Sequence, residues 1–360
     1  MEIKKEVSAT LMISNLIATF LVIAIHYNSK GAIDISLGYN WNYVVQEFVT
    51  NGVARVAVPF FAMMSGFFLV EKICDVQSYL NILKNKSRTL LLPYILSSTF
   101  IFLSMTIIKQ LSSHKSTEHY GLYTIAKNIF VHPISVQFWF LRDLIILTVF
   151  SPLILNKNRL YSFSLGFLLL FLWIQDIQPL PKVAGWYLIN IETIFFFWIG
   201  GVISRFNFVL SSLAESSVAT KIVSFFVWGL LISVRIYVDP YLDIWYVNNY
   251  TLESILLYKI AILVGLICLI QLSSLVRSNN ALIFLSGYTF FVFLFHGFPL
   301  LNIINFFTQR IVNNSFLFYI NLPVVTIFVF IAAHITSEQF NKAYTLITGG
   351  RSPNKAVKRM

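Results

Sequence analysis

Charge is scarce in this sequence. Of its 360 residues, 11% are Asp, Glu, Lys or Arg, against roughly 25% in ordinary soluble domains. So little charge cannot keep a globule of this length in water, which excludes a soluble domain as the bulk of the chain. Cysteine is scarcer still. Cys74 and Cys268 stand far apart without metal-ligand spacing. No metal site is expected from them, they say nothing of redox compartment, and both read as small core residues. Internal repeats and low-complexity linkers are missing as well, which argues for one domain. What the chain has instead is apolar mass: 57% hydrophobic residues, 35 Phe and a mean hydropathy of +0.75. Its solvent is lipid, and its length is a count of spans.

Windows long enough to cross ~30 Å of hydrocarbon fall at about 8–27, 50–70, 89–108, 136–155, 160–176, 187–205, 218–238, 253–275, 281–301 and 316–336. The expectation is an all-α polytopic bundle of about ten transmembrane helices. Residues 1–345 would form the membrane domain, and 346–360 a basic cytoplasmic tail. The first run follows Lys4 and Lys5 without a clear small-residue cleavage site and is read as an uncleaved helix. Between Ser112 and Pro133 the chain is polar and then mildly amphipathic, which suggests an external loop with an interfacial helix near 123–131.

The net charge of +11 invites a nucleic-acid partner, but the basic residues are spread over short loops and the tail, so none is expected. Their placement reports orientation. With a cytoplasmic N-terminus, 16 Lys and Arg fall on inside segments, 6 on outside loops, and four (Arg55, Arg142, Arg235, Lys259) within or beside spans. That bias puts both termini in the cytoplasm. On this topology His26, Arg55, Arg142 with Asp143, Glu192, Arg235, Lys259 and His296 all gather in the outer leaflet. An ionised group in hydrocarbon costs at least ~2.5–3.5 kcal/mol, so such residues normally face a bundle interior or a wet cavity. For Arg235 and Lys259, snorkelling at a span end is an equally good reading; Arg55 and His296 lie deeper. The expectation is a polar cavity opening outward.

Histidine is the residue in that cavity with acid–base chemistry at neutral pH. His26 and His296 are the candidates; His334, near the end of the last span, reads as structural. Asn15 lies eleven residues before His26, ~16 Å along a helix and on nearly the same face.

Several stretches resemble the acyltransferase 3 family of integral membrane O-acyltransferases. Residues Asn15 to His26 (NLIATFLVIAIH) are similar to its first helix, and Arg55 to Leu69 (RVAVPFFAMMSGFFL) to its second. The run Lys84 to Tyr94 (KNKSRTLLLPY) resembles its basic loop, Phe138 to Leu144 (FWFLRDL) with Ser151-Pro152 its fourth helix, and Phe291 to Gly297 (FVFLFHG) its late histidine helix. Each piece is weak alone; five in order make a strong signal.

The resemblance implies acyl transfer, usually of acetyl from a cytoplasmic thioester such as acetyl-CoA, to a hydroxyl at the outer side. No permanently bound cofactor is implied. The acceptor would be a surface glycan or lipid-linked saccharide, with membrane lipid as surroundings and oligomeric state left open. His26 corresponds to the family's essential histidine and would be the base. His296 would assist, and Arg55 or Arg142 would stabilise the oxyanion or orient the acceptor. Lys84, Lys86 and Arg88 would hold the donor's phosphates, against the plainer reading of positive-inside charge. Many members carry arginine where this chain has Asn15, so the resemblance does not carry a cationic donor contact over to that position, and the effect of the change is left open. Ser65 has no visible histidine partner, and Ser65-Gly66 reads as a close-packing site. The competing class is a transporter or flippase, but neither duplicated halves nor matched helix breaks appear. The topology predicts that Ser352→Cys is shielded from an impermeant thiol reagent on intact cells while Ser113→Cys is labelled. The reverse pattern would invert the orientation.

Overall fold

In lipid, helices associate by close packing rather than by a hydrophobic drive, so small residues mark where backbones meet. The computed structural model describes residues 5–33, 40–112, 121–131, 133–180, 188–206, 208–244 and 249–353. In chain order the helices are α1 Lys5–His26, α2 Trp41–Glu47, α3 Ala57–Val70, α4 Val76–Lys86, α5 Leu92–Ser112, α6 Leu122–Ala126, α7 Phe138–Val149, α8 Ser151–Ile154 and α9 Arg159–Ile174. There follow α10 Ile191–Arg205, α11 Phe208–Ala214, α12 Val218–Val238, α13 Leu252–Leu275, α14 Asn280–Ser286, α15 Thr289–Phe295, α16 Leu300–Thr308, α17 Leu317–Gln339 and α18 Asn341–Ile347. Among the described residues the sole β feature is an isolated bridge between Asp243 and Asn249.

The molecule is an all-helical, multi-pass membrane bundle, with fewer full-length spans than the sequence suggests. Six apolar stretches have membrane-crossing length: Lys5–Ala32, Trp41–Val70, Val76–Ile108, Val218–Val238, Leu252–Leu275 and Asn314–Gln339. Two bent pairs, α10 with α11 and α15 with α16, bring the number to eight if each pair is one span. The count of ten is not met by helices of that length. The window 136–155 breaks at Phe150, because Pro152 lacks the N–H that would continue the ladder. The next window holds α9, with 16 residues. Near 281–301 the run is interrupted at Gly287 and turns by 69° between α15 and α16, around Gly297 and Pro299.

The connection after α5 also differs from expectation. Residues 122–131 are helical, but Tyr94 donates from its hydroxyl to the Ile129 carbonyl at 2.5 Å. Tyr94 is in the first turn of α5, ~27 Å along the axis from Ser112. The segment therefore folds back along α5 instead of lying across its far end, and Ile129 is buried there. Cys268 is a core residue; Cys74 is exposed, in the tight connection between α3 and α4.

Residues 346–353 are seated on the bundle. Thr348 is fully buried, and Gly287 stands against Pro353 with no space for a side chain. Direction is fixed by contacts at the ends. An ion pair between Glu6 and Arg277 (3.4 Å) joins the start of α1 to the turn beyond α13, so these two helices run antiparallel. From Arg55, α3 leads away from the end of α1 and delivers the chain to the basic segment 84–88. His26 thus lies at one end of the bundle, and the start of α1 and the exit of α3 at the other.

Helices α3 and α10 approach each other backbone to backbone. A β-carbon on Gly66 would overlap the Phe197 carbonyl, and one on Gly200 the Met63 carbonyl. Ser65 donates its hydroxyl to the Phe61 carbonyl of its own helix (2.8 Å), so Ser65-Gly66 is a packing element. Overpacking a tight contact costs typically ~1–3 kcal/mol, and here the obstacle is backbone, which relaxes little. Gly200→Ala and Gly66→Ala should each lower the detergent-extracted melting temperature by several degrees, whereas Gly229→Ala, with open space around it, should not.

Candidate active site

Helix α1 carries His26 in its last turn, where the polar end of the bundle begins. Two hydrogen bonds tie α1 to the chain that carries His296. Asn15 donates from Nδ2 to the Thr289 hydroxyl at 2.7 Å, and Tyr27 donates from its hydroxyl to the His296 carbonyl at 2.5 Å. The two elements run in the same direction, and their histidines meet at one level. The ring centroids of His26 and His296 are 5.2 Å apart, with planes tilted by 45°. His296 is fully buried, whereas His26 is half-buried.

His296 is held in one tautomer. Its Nδ1 lies 3.0 Å from the carbonyls of both Val292 and Phe293. Carbonyl oxygens only accept, so Nδ1 carries the proton and the neutral ring presents a lone pair at Nε2. That Nε2 is buried and makes no hydrogen bond within the described residues. A buried polar atom left unpaired is costly and asks for a functional explanation. On the other side of the segment, Gly297 has no room for a side chain beside the Gln137 amide.

Arg55 lies on the short turn 53–56 between a π-helical stretch (48–52) and α3, the kind of irregularity that recurs at functional sites. It is close enough for its charge to act on His26. A chain of side chains holds it from behind. Arg55 donates from Nε to Asn51 Oδ1 (2.9 Å), and Asn51 donates from Nδ2 to Glu47 Oε1 (2.8 Å). Glu47 also accepts from Arg235 Nη1 (2.6 Å) and from Lys30 Nζ (2.5 Å). Glu47 and Arg235 are both 1% exposed. Arg235 is therefore no snorkelling anchor but the buried partner of a carboxylate.

A second polar cluster adjoins the first. Lys259, also buried, lies 3.4 Å from Asp176 and 3.8 Å from Glu192, above the Trp173 ring. Trp173 donates from Nε1 to Glu192 (3.1 Å). Between the clusters stands Tyr258, near enough to Arg55, Glu192, Arg235 and Asp176 to feel their charges. Its hydroxyl is buried and has no hydrogen-bond partner within the described residues.

Of the expected site residues, the structure thus brings His26, His296 and Arg55 together. Arg142 is placed differently. It pairs with the fully buried Asp143 (3.5 Å), which also accepts from the Asn190 backbone N–H (2.9 Å), and so ties α7 to the start of α10. Lys84 and Arg88 are exposed at the other end and Lys86 is partly buried. His334 bonds to the Tyr288 hydroxyl through Nδ1 (2.9 Å), a structural role.

A family model described as an acyltransferase domain matches residues 16–335. The chain belongs to the acyltransferase 3 family. It is a multi-pass membrane acyltransferase. The chain is also similar to the succinoglycan biosynthesis protein ExoH of Rhizobium meliloti (strain 1021), 25% identical over 324 residues that cover 87% of this chain and 84% of that one. No solved structure matches it significantly.

Sequence reasoning missed Glu47 and Tyr258. Glu47, Asn51 and Arg55 repeat at four-residue spacing, the signature of one helical face, but Glu47 falls in a stretch that reads as external loop. Tyr258 gives no signal in a sequence with 17 tyrosines. If Glu47 positions Arg55 through Asn51, Glu47→Gln should lower turnover tenfold or more with little change in donor KM, and Glu47→Asp should recover part of it. Equal turnover in wild type and Glu47→Gln would assign the network to stability alone.

Proposed function

We propose that this protein transfers an acyl group, expected to be acetyl, from a cytoplasmic acyl-CoA to a hydroxyl of a surface glycan or lipid-linked saccharide. Transfer would occur at the outer face of the cell membrane, with both chain termini in the cytoplasm. The observation that carries this reading is the pair of histidines 5.2 Å apart at one end of the bundle, with Arg55 beside them, in a chain of an acyltransferase family. The similarity to a protein named for succinoglycan biosynthesis favours a glycan as the acceptor.

The chemistry asks for a base and for stabilisation of an oxyanion. His26 takes the proton of the acceptor hydroxyl as its oxygen attacks the thioester carbonyl. The C–O bond forms, the tetrahedral oxyanion lies against Arg55, and the C–S bond then breaks. The thiolate leaves with a proton returned from the imidazole. His296, with its fixed tautomer, keeps a lone pair turned to the same site and packs beside His26. Arg142, locked with Asp143, serves the bundle rather than the reacting atoms. At the other end, Lys84, Lys86 and Arg88 meet the donor's phosphates, and the thioester reaches up between helices to the histidines. Tyr258, whose hydroxyl has no hydrogen-bond partner within the described residues, offers it to a hydroxyl of the acceptor.

The direct test is acetyl-CoA-dependent acylation of the surface glycan in membranes, with NMR of that glycan from cells with and without the protein. His26→Ala should insert and extract normally and lose ~10²–10⁴-fold in transfer. Near-normal turnover would remove His26 from the mechanism. Tyr258→Phe separates function from fold. Deleting a buried hydroxyl that has no partner within the described residues should leave the melting temperature equal or higher, while the KM for acceptor rises several-fold. A drop in stability without a change in acceptor KM would make Tyr258 a structural residue.

A further inference from the structure

A groove of about 220 Å³ opens at the same end of the bundle as His26, between the segment after α1, the start of α2 and the turn before α17. Two of its lining residues are aromatic. Trp41 is 64% exposed and Phe316 39%, with ring centroids 6.0 Å apart and planes tilted by 47°. Beside the rings stand Asn40, Asn42, Asn313 and Ser315, and no ionised side chain lines the groove among the described residues. Lys30, close by in sequence, is turned to Glu47 instead (2.5 Å).

The groove is rigid. The Ser315 carbonyl accepts from Ser29 Oγ (3.0 Å), Asn42 Nδ2 (2.8 Å) and Gln46 Nε2 (3.1 Å), and Asn42 Oδ1 accepts from the Tyr319 hydroxyl (2.9 Å). Three segments are tied together in this way, so the shape is formed before a ligand arrives. Asn40 and Asn313 act as caps. Asn40 Oδ1 accepts from the Asn42 N–H (2.9 Å) and Asn313 Oδ1 from the Ser315 N–H (3.1 Å). With each oxygen committed to the backbone, the amide's orientation is settled, and its Nδ2 donors lie across the carbon from the cap.

This lining selects a class of ligand. A phosphate or an anionic lipid headgroup calls for lysine or arginine, and an acyl chain for apolar walls throughout. A sugar ring offers apolar C–H faces that pack on aromatic rings, and a rim of neutral hydroxyls that exchange hydrogen bonds with amides. Location adds a second argument. Trp41 starts α2 and Glu47 ends it, ~9 Å further along the axis, and Glu47 holds Arg55 through Asn51. Ala32, which also lines the groove, is six residues past His26. Groove and histidine pair are therefore a few sugar units apart.

We propose that this groove is an acceptor subsite, which holds one neutral sugar of an oligosaccharide while another sugar of the same chain is acylated at His26. Trp41 and Phe316 pack on the faces of the held sugar, and the amides of Asn40 and Asn313 donate to its hydroxyls. Binding energy gained at a remote unit is lost when the substrate is truncated, so the subsite makes the protein prefer oligomeric acceptors to single sugars. This inference rests on the glycan-acceptor reading above; it adds where the chain is held and why its length matters.

The experiment is titration of the purified full chain in nanodiscs of neutral lipid, without donor, read by ligand-observed NMR. The probes are oligosaccharides cut by mild acid from the surface glycan of cells lacking the protein, and methyl glycosides of its single sugars. Wild type should bind the oligosaccharides about tenfold or more tighter than the glycosides. Trp41→Ala should remove most of that advantage, and Trp41→Tyr should keep most of it. Asn313→Asp retains the capping oxygen and deletes the donors, so it should weaken oligosaccharide binding several-fold without lowering the melting temperature. Phe163→Ala, at an exposed aromatic of α9, should leave the affinity as it is. Oligosaccharide affinity within about twofold of wild type in both Trp41→Ala and Asn313→Asp overturns the subsite, while acylation of the intact glycan would still stand. If Trp41→Ala weakens membrane retention and leaves oligosaccharide affinity intact, the ring is an interfacial anchor and the proposal fails. A wild type that neither binds the oligosaccharides nor acylates the intact glycan contradicts the glycan acceptor itself, and the inference falls with it.

Discussion

Two hydrogen bonds between α1 and the α15 segment set the geometry of everything else at the polar end. Asn15 to Thr289 and Tyr27 to the His296 carbonyl bind the elements at two heights, which fixes both translation and rotation of one against the other. In a lipid-exposed bundle such bonds are worth only ~0.6–2 kcal/mol each. Their importance is therefore geometric. They bring together two imidazoles separated by 270 positions in the chain, at a spacing where both can serve one reacting group.

The charged residues follow from the same constraint. A buried ion survives when it is paired and its remaining hydrogen bonds are met. Glu47 satisfies this through Lys30, Asn51 and Arg235, and Asp143 through Arg142 and the Asn190 N–H. These networks stabilise helix junctions, and the first also aims Arg55. The unmet groups stand out against that background. His296 Nε2 and the Tyr258 hydroxyl are buried without partners within the described residues, next to charges that could have been arranged to meet them. They are two of several such buried atoms, and their place beside the histidine pair and Arg55 makes them the ones a substrate's polar atoms would meet.

Much of this was legible in the sequence, for physical reasons that differ by residue. A histidine in an apolar run is conspicuous because hydrocarbon tolerates few polar groups, and so His26 and His296 could be named before any contact was known. Arg55 stood out for the same reason. Arg142 stood out equally, but a sequence cannot say whether a buried arginine faces a neighbouring carboxylate, as Arg142 faces Asp143, or a substrate. Glu47 was concealed by the opposite rule: polar stretches read as loops, and residues 41–52 are helical although mixed in polarity. The count of ten spans is not confirmed by helix length. The windows around 150 and 290 are apolar enough to cross, but Pro152, Gly287 and Pro299 interrupt them. Residues 346–360 read as a short basic tail, and nothing in their composition reports that Arg351 finds the Thr89 carbonyl.

The central claim is that His26 and His296 act as one unit. It is tested most directly by a double-mutant cycle on acyl transfer, with His26→Ala, His296→Ala and the pair compared at matched membrane expression. Residues that share one function are strongly non-additive. The account predicts that the double variant is no slower than the slower single variant, within about threefold. Independent losses that multiply in the double variant would show that the two histidines do separate work, and would contradict it.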